Sequence, residues 1–467
     1  MKSPNRHKHK QKTTGSKASS HARPGSTPRP GQKSPQKSTG PKSGKAPRPD
    51  AIHLSKQLVK AWEDTLLKTF RPRRGSGGAR PDNTDGAQRA SRLKQALMQE
   101  TDTILELWEI FTKDRGRLSR YLLTTRQHVV GYLLGFHLPN AARMQVLLHR
   151  TLRRLPLAEG LKRCSEIRVS DIGCGTGAMA QTLVVELAMT GVSPAKMRIS
   201  LSDVSPPLLE TAADSITALN MPLTVSTHRK RAEELPIIQF QDQPPGATSI
   251  GGQGLGAGPV AHIYTFGYVW NELRKNPAAQ RRIHSILAGH IERGEVALVL
   301  IVEPGTELQA RDAMQLRDEL TASRWSAVYP CPASSPCPML ERPKDWCFSE
   351  AAWTRPAIVE MIDRRLGIDR TQIAAGMYAF ATPALTELAG FGTTTRQVVV
   401  GRPLRDAADG TPTRKSPTPL PRERVRQRPF EYLVCTPDGL AKVPQVKSPT
   451  GSPAQMQPIL RGSLLST

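Results

Sequence analysis

Residues 169–177 read Val-Ser-Asp-Ile-Gly-Cys-Gly-Thr-Gly, and no other stretch constrains the fold as tightly. Ile167 and Val169 lead as a strand into Asp171. Glycines then follow at every second position (Gly173, Gly175 and Gly177), and Ala178 to Met189 is compatible with a helix. Strand, tight glycine turn and helix form the first unit of a nucleotide-binding α/β sheet. Glycine lets the backbone approach a ligand where any Cβ would collide. A dinucleotide loop spaces its glycines as G-x-G-x-x-G and faces a pyrophosphate with its helix N-terminus. The spacing here is D-x-G-x-G-x-G, with an acid at the strand end, which points to a different ligand.

The turn resembles the first motif of class I S-adenosylmethionine (SAM) methyltransferases. That resemblance implies SAM as cofactor, with Asp171, Gly173, Gly175 and Gly177 in its binding loop. The expected fold is α/β, a Rossmann-like seven-stranded sheet spanning residues 161–403. A second strand at 197–203 ends in Asp203, and an acid there bonds ribose hydroxyls in doubly wound folds. It lies further from the glycines than the usual ~20 residues, but Gly191 and Pro194 mark a clean helix end that absorbs the excess. Further strands are expected at 223–227, 261–266, 296–302, 376–382 and 395–401, the last two completing the sheet. Ligands bind at the carboxyl ends of parallel strands. The loop after 261–266, Gly267-Tyr268-Val269-Trp270-Asn271-Glu272, therefore lines the pocket. Asn271 and Glu272 are its candidate catalytic groups on the acceptor side. The glycine-rich stretch 239–260 has no strand-end acid before it and no helix directly after it, so it reads as a flexible insertion.

The formal charge is +26. Thirteen Lys or Arg against Asp50 alone give the first 50 residues +12, and the rest of the chain carries +14. A polyanion, RNA or DNA, is the economical partner. Residues 1–50, rich in Lys, Pro, Gly and Ser, are expected to be a disordered basic tail. Residues 51–160 read as a helical domain, with Leu93, Leu97, Ile104, Leu105 and Trp108 recurring at helical spacing. Residues 404–467 read as a small basic extension around a strand at Phe430 to Cys435, closed by the turn Thr-Pro-Asp-Gly. No run of apolar residues is long enough to span a membrane. The tail has neither an apolar h-region nor the makings of an amphipathic presequence, so a cytoplasmic location is expected, with the mitochondrial matrix as the alternative.

Six cysteines do not make a disulfide scaffold. Three of them, Cys331, Cys337 and Cys347, fall in one segment expected as a Cys-rich insertion at 304–350, and Cys435 ends a strand from which it can return to the others. Four thiolates suit either Zn²⁺ or an iron–sulfur cluster. The C-x₂₋₄-C knuckles of a zinc ribbon are missing, and two of the cysteines precede proline, which leans toward [4Fe–4S].

Together these motifs resemble the methyltransferase-like proteins of the small ribosomal subunit found in mitochondria and bacteria. The features that carry the likeness are Asp171-Ile-Gly-Cys-Gly-Thr-Gly, Val-Trp-Asn-Glu-Leu at 269–273 and Glu303-Pro-Gly-Thr. The cysteine runs Pro-Cys-Pro…Pro-Cys-Pro…Asp-Trp-Cys at 330–347 and Leu-Val-Cys-Thr-Pro-Asp-Gly at 433–439 are more specific. The resemblance implies a SAM fold carrying a [4Fe–4S] cluster on Cys331, Cys337, Cys347 and Cys435. It also implies work on small-subunit rRNA, either as a methyltransferase or as a non-catalytic assembly factor.

Overall fold

A computed structural model describes residues 51–72, 86–112, 123, 125–235, 258–331, 336–391, 396–399, 431–444, 461 and 464–466. The basic tail and residues 239–257 of the glycine-rich stretch lie outside the described residues.

The main sheet contains β1 (Ile52–His53), β2 (Glu166–Ile172), β3 (Met197–Asp203), β4 (Thr224–Arg229), β5 (Val260–Gly267), β6 (Val296–Pro304), β7 (Ser326–Tyr329), β8 (Ser349–Thr354) and β9 (Gln372–Ala381). Its order is β1-β8-β9-β6-β5-β2-β3-β4, with β7 also on β9. Strands β2 to β6 run parallel, and β9 is inserted antiparallel to β6. On the other edge of β9, β7 pairs with Ala379–Ala381 and β8 with Gln372–Ala375. Together they occupy one strand position, interrupted by residues 330–348. With β7 and β8 counted as one position, β2 to β9 follow the class I methyltransferase order, 3-2-1-4-5-7-6.

The structure departs from the seven-strand expectation: the position beside β9 is filled by β7 and β8, and the strand expected at 395–401 lies elsewhere. Residues 396–399 (β10, Arg396–Val399) do not close the main sheet. They pair with β11 (Glu431–Thr436) and β13 (Leu464–Ser466), and β11 pairs with β12 (Gly439–Pro444), in a separate four-stranded sheet. An alternating apolar pattern specifies a strand but not its partner.

Helices cover both faces. They are α1 (Lys56–Thr69), α2 (Gly86–Thr112), α3 (Arg126–Tyr132), α4 (Leu138–Leu148), α5 (Leu157–Lys162), α6 (Ala178–Met189), α7 (Pro206–Thr217), α8 (Trp270–Leu273), α9 (Pro277–Glu292), α10 (Glu307–Ala322), α11 (Ala357–Leu366) and α12 (Pro383–Leu388). The central strand β6 shows why two faces are needed. Leu298, Leu300 and Val302 enter one apolar core, while Ala297, Val299 and Ile301 enter the other. A parallel strand buried on both faces reads as a continuous apolar run. Trp62, Ile104, Leu147 and Leu183 fill the first core, so the helices of residues 51–160 share it with the sheet. Ile283, Leu287, Met314 and Leu320 fill the second, together with Cys337, Cys347 and Cys435.

From Arg126 to Arg153 the chain is helical throughout, but Leu133–His137 and His149–Arg153 are π turns. Such wider turns re-aim the side chains around them. Tyr132 precedes the first and His137 ends it, and Arg150 lies in the second.

Candidate cofactor site and cysteine centre

The sheet order reverses between β2 and its neighbours β3 and β5, and ligands bind at such a switch point. A cavity of about 580 Å³ opens there, within the range of small-molecule sites. Gly173, Gly175, Asp203, Tyr132, Tyr268 and Glu272 are among its lining residues.

The glycine turn is built for close approach. Gly173 has φ +66°, and a Cβ on it would lie 2.7 Å from Val269 Cγ2. Gly177 has φ +82°, and a Cβ there would meet the Ala212 backbone at 3.1 Å, which is where α6 packs on α7. Asp203 joins the turn to the next strand. Its Oδ2 accepts the Gly175 N–H at 2.9 Å and its Oδ1 the Ser205 N–H at 2.9 Å. Burial raises its pKa, against those backbone donors.

Asp171 sits beneath the turn and does not line the cavity. Its Oδ1 accepts from the Thr265 hydroxyl at 2.6 Å and its Oδ2 from the Ala180 N–H at 3.3 Å. Burial pushes it up to about 6 despite these bonds. The acid thus ties β2, β5 and the start of α6 together and supports the glycines from below.

The turn has a second support that the sequence did not announce. His137 lies fully buried between Thr176 and Gln181, with its two nitrogens 2.9 Å from their side-chain oxygens. The Gln181 amide donates to the Ser215 carbonyl at 2.7 Å, so its oxygen faces His137. His137 therefore donates from Nε2 and accepts the Thr176 hydroxyl at Nδ1. Burial lowers its pKa to about 4 and keeps the ring neutral.

The two acceptor-side candidates separate. Asn271 is buried, and its amide donates to the Tyr268 carbonyl at 3.0 Å and to Glu303 Oε2 at 2.6 Å. Glu303, fully buried at the end of β6, also accepts the Trp270 N–H at 2.8 Å. Asn271 does not line the cavity; it holds the loop to β6. Glu272 is exposed and lines the cavity. Tyr268, in the left-handed region at φ +63°, also lines it. Strained backbone of this kind clusters at functional sites. Arg229, Lys230 and Arg231 follow β4 and add cations to the same cavity.

The four cysteines lie within electrostatic reach of one another, beyond β6 from the cavity. Cys331 follows β7, Cys347 precedes β8, and Cys435 comes from β11. Cys347 interacts electrostatically with Cys331, Cys435 and Cys337; Cys435 does so with Cys331 and Cys337, and Cys337 with Cys331. Every pair among the four is therefore within electrostatic reach. Burial pushes Cys337 up to about 11, and burial followed by the neighbouring thiols raises Cys347 and Cys435 well above the ordinary value. A site that opposes the thiolates of Cys337, Cys347 and Cys435 this strongly is one where a bound cation would invert the balance.

Polar groups frame the thiols. The fully buried Arg317 hydrogen-bonds Cys331 and pairs with Asp318 at 2.7 Å. Asp318 accepts the Cys337 N–H at 3.0 and 3.1 Å. Arg150, from the second π turn, donates to the Glu350 carbonyl at 2.9 Å and to the Tyr329 hydroxyl. It thereby holds both ends of the cysteine excursion against the helix that carries Tyr132 and His137. Arg317 and Arg150 had no sequence signal, because their partners are settled only by the sheet pairing.

The family described as mitochondrial small ribosomal subunit Rsm22 matches residues 212–369. The match begins in α7 and takes in the cysteine excursion, while the glycine turn and Cys435 fall outside it. No curated protein matches by sequence. Solved structures with partial likeness include a class I SAM-dependent methyltransferase described as putative, from Listeria monocytogenes. It is 10% identical, with 70% of this chain and 88% of that chain covered and a TM-score of 0.32. An rRNA methylase from Streptococcus thermophilus is 19% identical, over 37% of this chain and 80% of that one, with a TM-score of 0.22. The fold assignment rests on strand order, not on these. Over residues 212–369 the chain resembles the Rsm22 family of the mitochondrial small ribosomal subunit, on a class I SAM-methyltransferase fold.

Proposed function

We propose that the protein is a SAM-dependent methyltransferase-type protein that acts on small-subunit rRNA and carries a structural [4Fe–4S] cluster. The observation that carries the SAM reading is the cavity at the sheet's switch point, walled by Gly173, Gly175 and Asp203. The glycine turn runs under the methionine portion of SAM, and Asp203 takes the ribose hydroxyls with its remaining lone pairs. Glu272 is the acceptor-side group, and Asn271 acts through the loop it holds. Cys331, Cys337, Cys347 and Cys435 are the cluster ligands. The cluster binds the interrupted strand position to the C-terminal sheet.

The rRNA reading rests on the family match and on charge. The cations after β4 lie at the cavity, and the chain as a whole carries +26. The family description suits the mitochondrial matrix, and no helix among the described residues is long and apolar enough to cross a membrane. A target base inside a helix must be extruded at a cost of a few kcal/mol, unless it is already single-stranded in an assembling subunit.

A second reading, a non-catalytic assembly factor that keeps the fold, is favoured by the burial of Asn271 away from the cavity. Titration with SAM, followed by transfer of labelled methyl to immature small subunits, separates the two. Label on the rRNA supports the enzyme, and SAM binding without label supports the assembly factor. Absence of SAM binding removes the proposal.

A further inference from the structure

A cluster of donors at the opposite end of the sheet takes no part in the cavity or the cysteine centre. His262 lies near the start of β5, His290 near the end of α9, and Glu295 in the turn leading to β6. One donor atom from each lies within 4.8 Å of the other two. We propose that His262, His290 and Glu295 form a zinc site that staples β5, α9 and β6 together at the amino-terminal edge of the sheet.

Two imidazoles and a carboxylate suit Zn²⁺, with water in the fourth position. The surrounding bonds are those of a supported ligand set. His290 is 97% buried; its Nδ1 lies 2.6 Å from Glu295 Oε2 and its Nε2 2.7 Å from the Tyr264 hydroxyl. A ligating histidine typically gives its other N–H to an oxygen that fixes the ring. Tyr264 stands where that oxygen belongs. Arg293 donates to Glu295 Oε1 at 2.8 Å and to Oε2 at 2.9 Å. It can keep Oε1 while the metal takes Oε2, because its half-exposed guanidinium returns the freed N–H to water.

The three donor atoms already face one another, so a cation entering between them meets ligands in place. Without metal, His290 donates from Nδ1 to the ionised Glu295 and accepts the Tyr264 hydroxyl at Nε2. On binding, the Nδ1 proton leaves to solvent and Zn²⁺ takes its place. Nε2 takes up a proton from solvent in exchange, so the ring stays neutral, and the Tyr264 hydroxyl turns its own proton away to accept the new Nε2–H.

The test uses the full chain, purified without oxygen so that the cysteines keep whatever they hold, then treated with EDTA and returned to Zn²⁺. Zinc is counted per chain, and its ligands are read by X-ray absorption at the zinc edge, where iron does not interfere. The proposal expects one zinc bound by nitrogen and oxygen at ~2.0–2.1 Å, with no sulfur at ~2.3 Å. It also expects loss of that zinc in His262→Ala and in Glu295→Gln. Tyr264→Phe, which is nearly isosteric and should fold, weakens binding by ~10–100-fold. Failure of the chain to retain zinc, sulfur ligation, or unchanged binding in Glu295→Gln and Tyr264→Phe overturns it. None of these outcomes bears on SAM binding.

Discussion

Asp203 Oδ2 accepts the Gly175 N–H at 2.9 Å, so the acid at the end of β3 shapes the glycine turn as well as facing the cavity. Asp203→Asn keeps the size but removes the charge that attracts the turn's N–H and the ribose hydroxyls. Hydrogen bonds to charged groups contribute ~1.5–3 kcal/mol. Calorimetric titration should therefore show SAM affinity falling about tenfold or more, and the melting temperature should fall as well, because the amide nitrogen that replaces one oxygen faces the Gly175 or the Ser205 N–H.

Gly173→Ala should damage binding and stability together. The left-handed backbone costs ~1–2 kcal/mol for a residue with a Cβ, and that Cβ also drives Val269 away from the turn. Gly390→Ala is the control. Its φ is +63°, but nothing lies within 4 Å of the added Cβ. Both variants should melt lower, and only the first should lose SAM affinity.

His137 gives a pH signature. Its folded pKa is lowered to about 4 from the ordinary 6.5. The folded state then binds fewer protons than the unfolded chain between those values. The stability it contributes is present above pH 6.5 and is lost as pH falls toward 4. Between pH 7 and pH 5 the loss is about 2 kcal/mol for such a shift. Denaturant unfolding should show the wild type losing that much more over this interval than His137→Gln.

Arg150→Ala removes the tie between the helix beside the cavity and both ends of the cysteine excursion. The Tyr329 hydroxyl keeps Ser349 at 2.7 Å, so the effect should be local. Hydrogen exchange should accelerate in Ser349–Thr354 while β2 stays protected.

The sequence makes some of this plain and hides the rest for physical reasons. The turn at 171–177 is legible because left-handed backbone at three alternate positions demands glycine. Strand β6 is legible because its apolar run has only one explanation at that length. The interrupted strand position was missed. Ser326–Tyr329 and Ser349–Thr354 are short, and their common partner β9 becomes evident only in three dimensions. The run at 395–401 has the right alternation for a strand, and nothing local says which sheet receives it. Asn271 looked like an acceptor-side group because its partner, Glu303, is 32 residues away. The strand end at Cys435 allowed its return to the other thiols, but its place in one ligand set came only from resemblance, since 87 residues separate it from Cys347. His262, His290 and Glu295 went unread as a set because β5, α9 and the turn to β6 each supply one.

The most direct test of the account is the metal content of the intact chain purified without oxygen, compared with Cys435→Ser. The account predicts a brown protein with iron and acid-labile sulfide in equal amounts, both lost when residue 435 no longer offers a thiolate. A colourless protein, or a Cys435→Ser variant that keeps the iron and sulfide of the wild type, would contradict it.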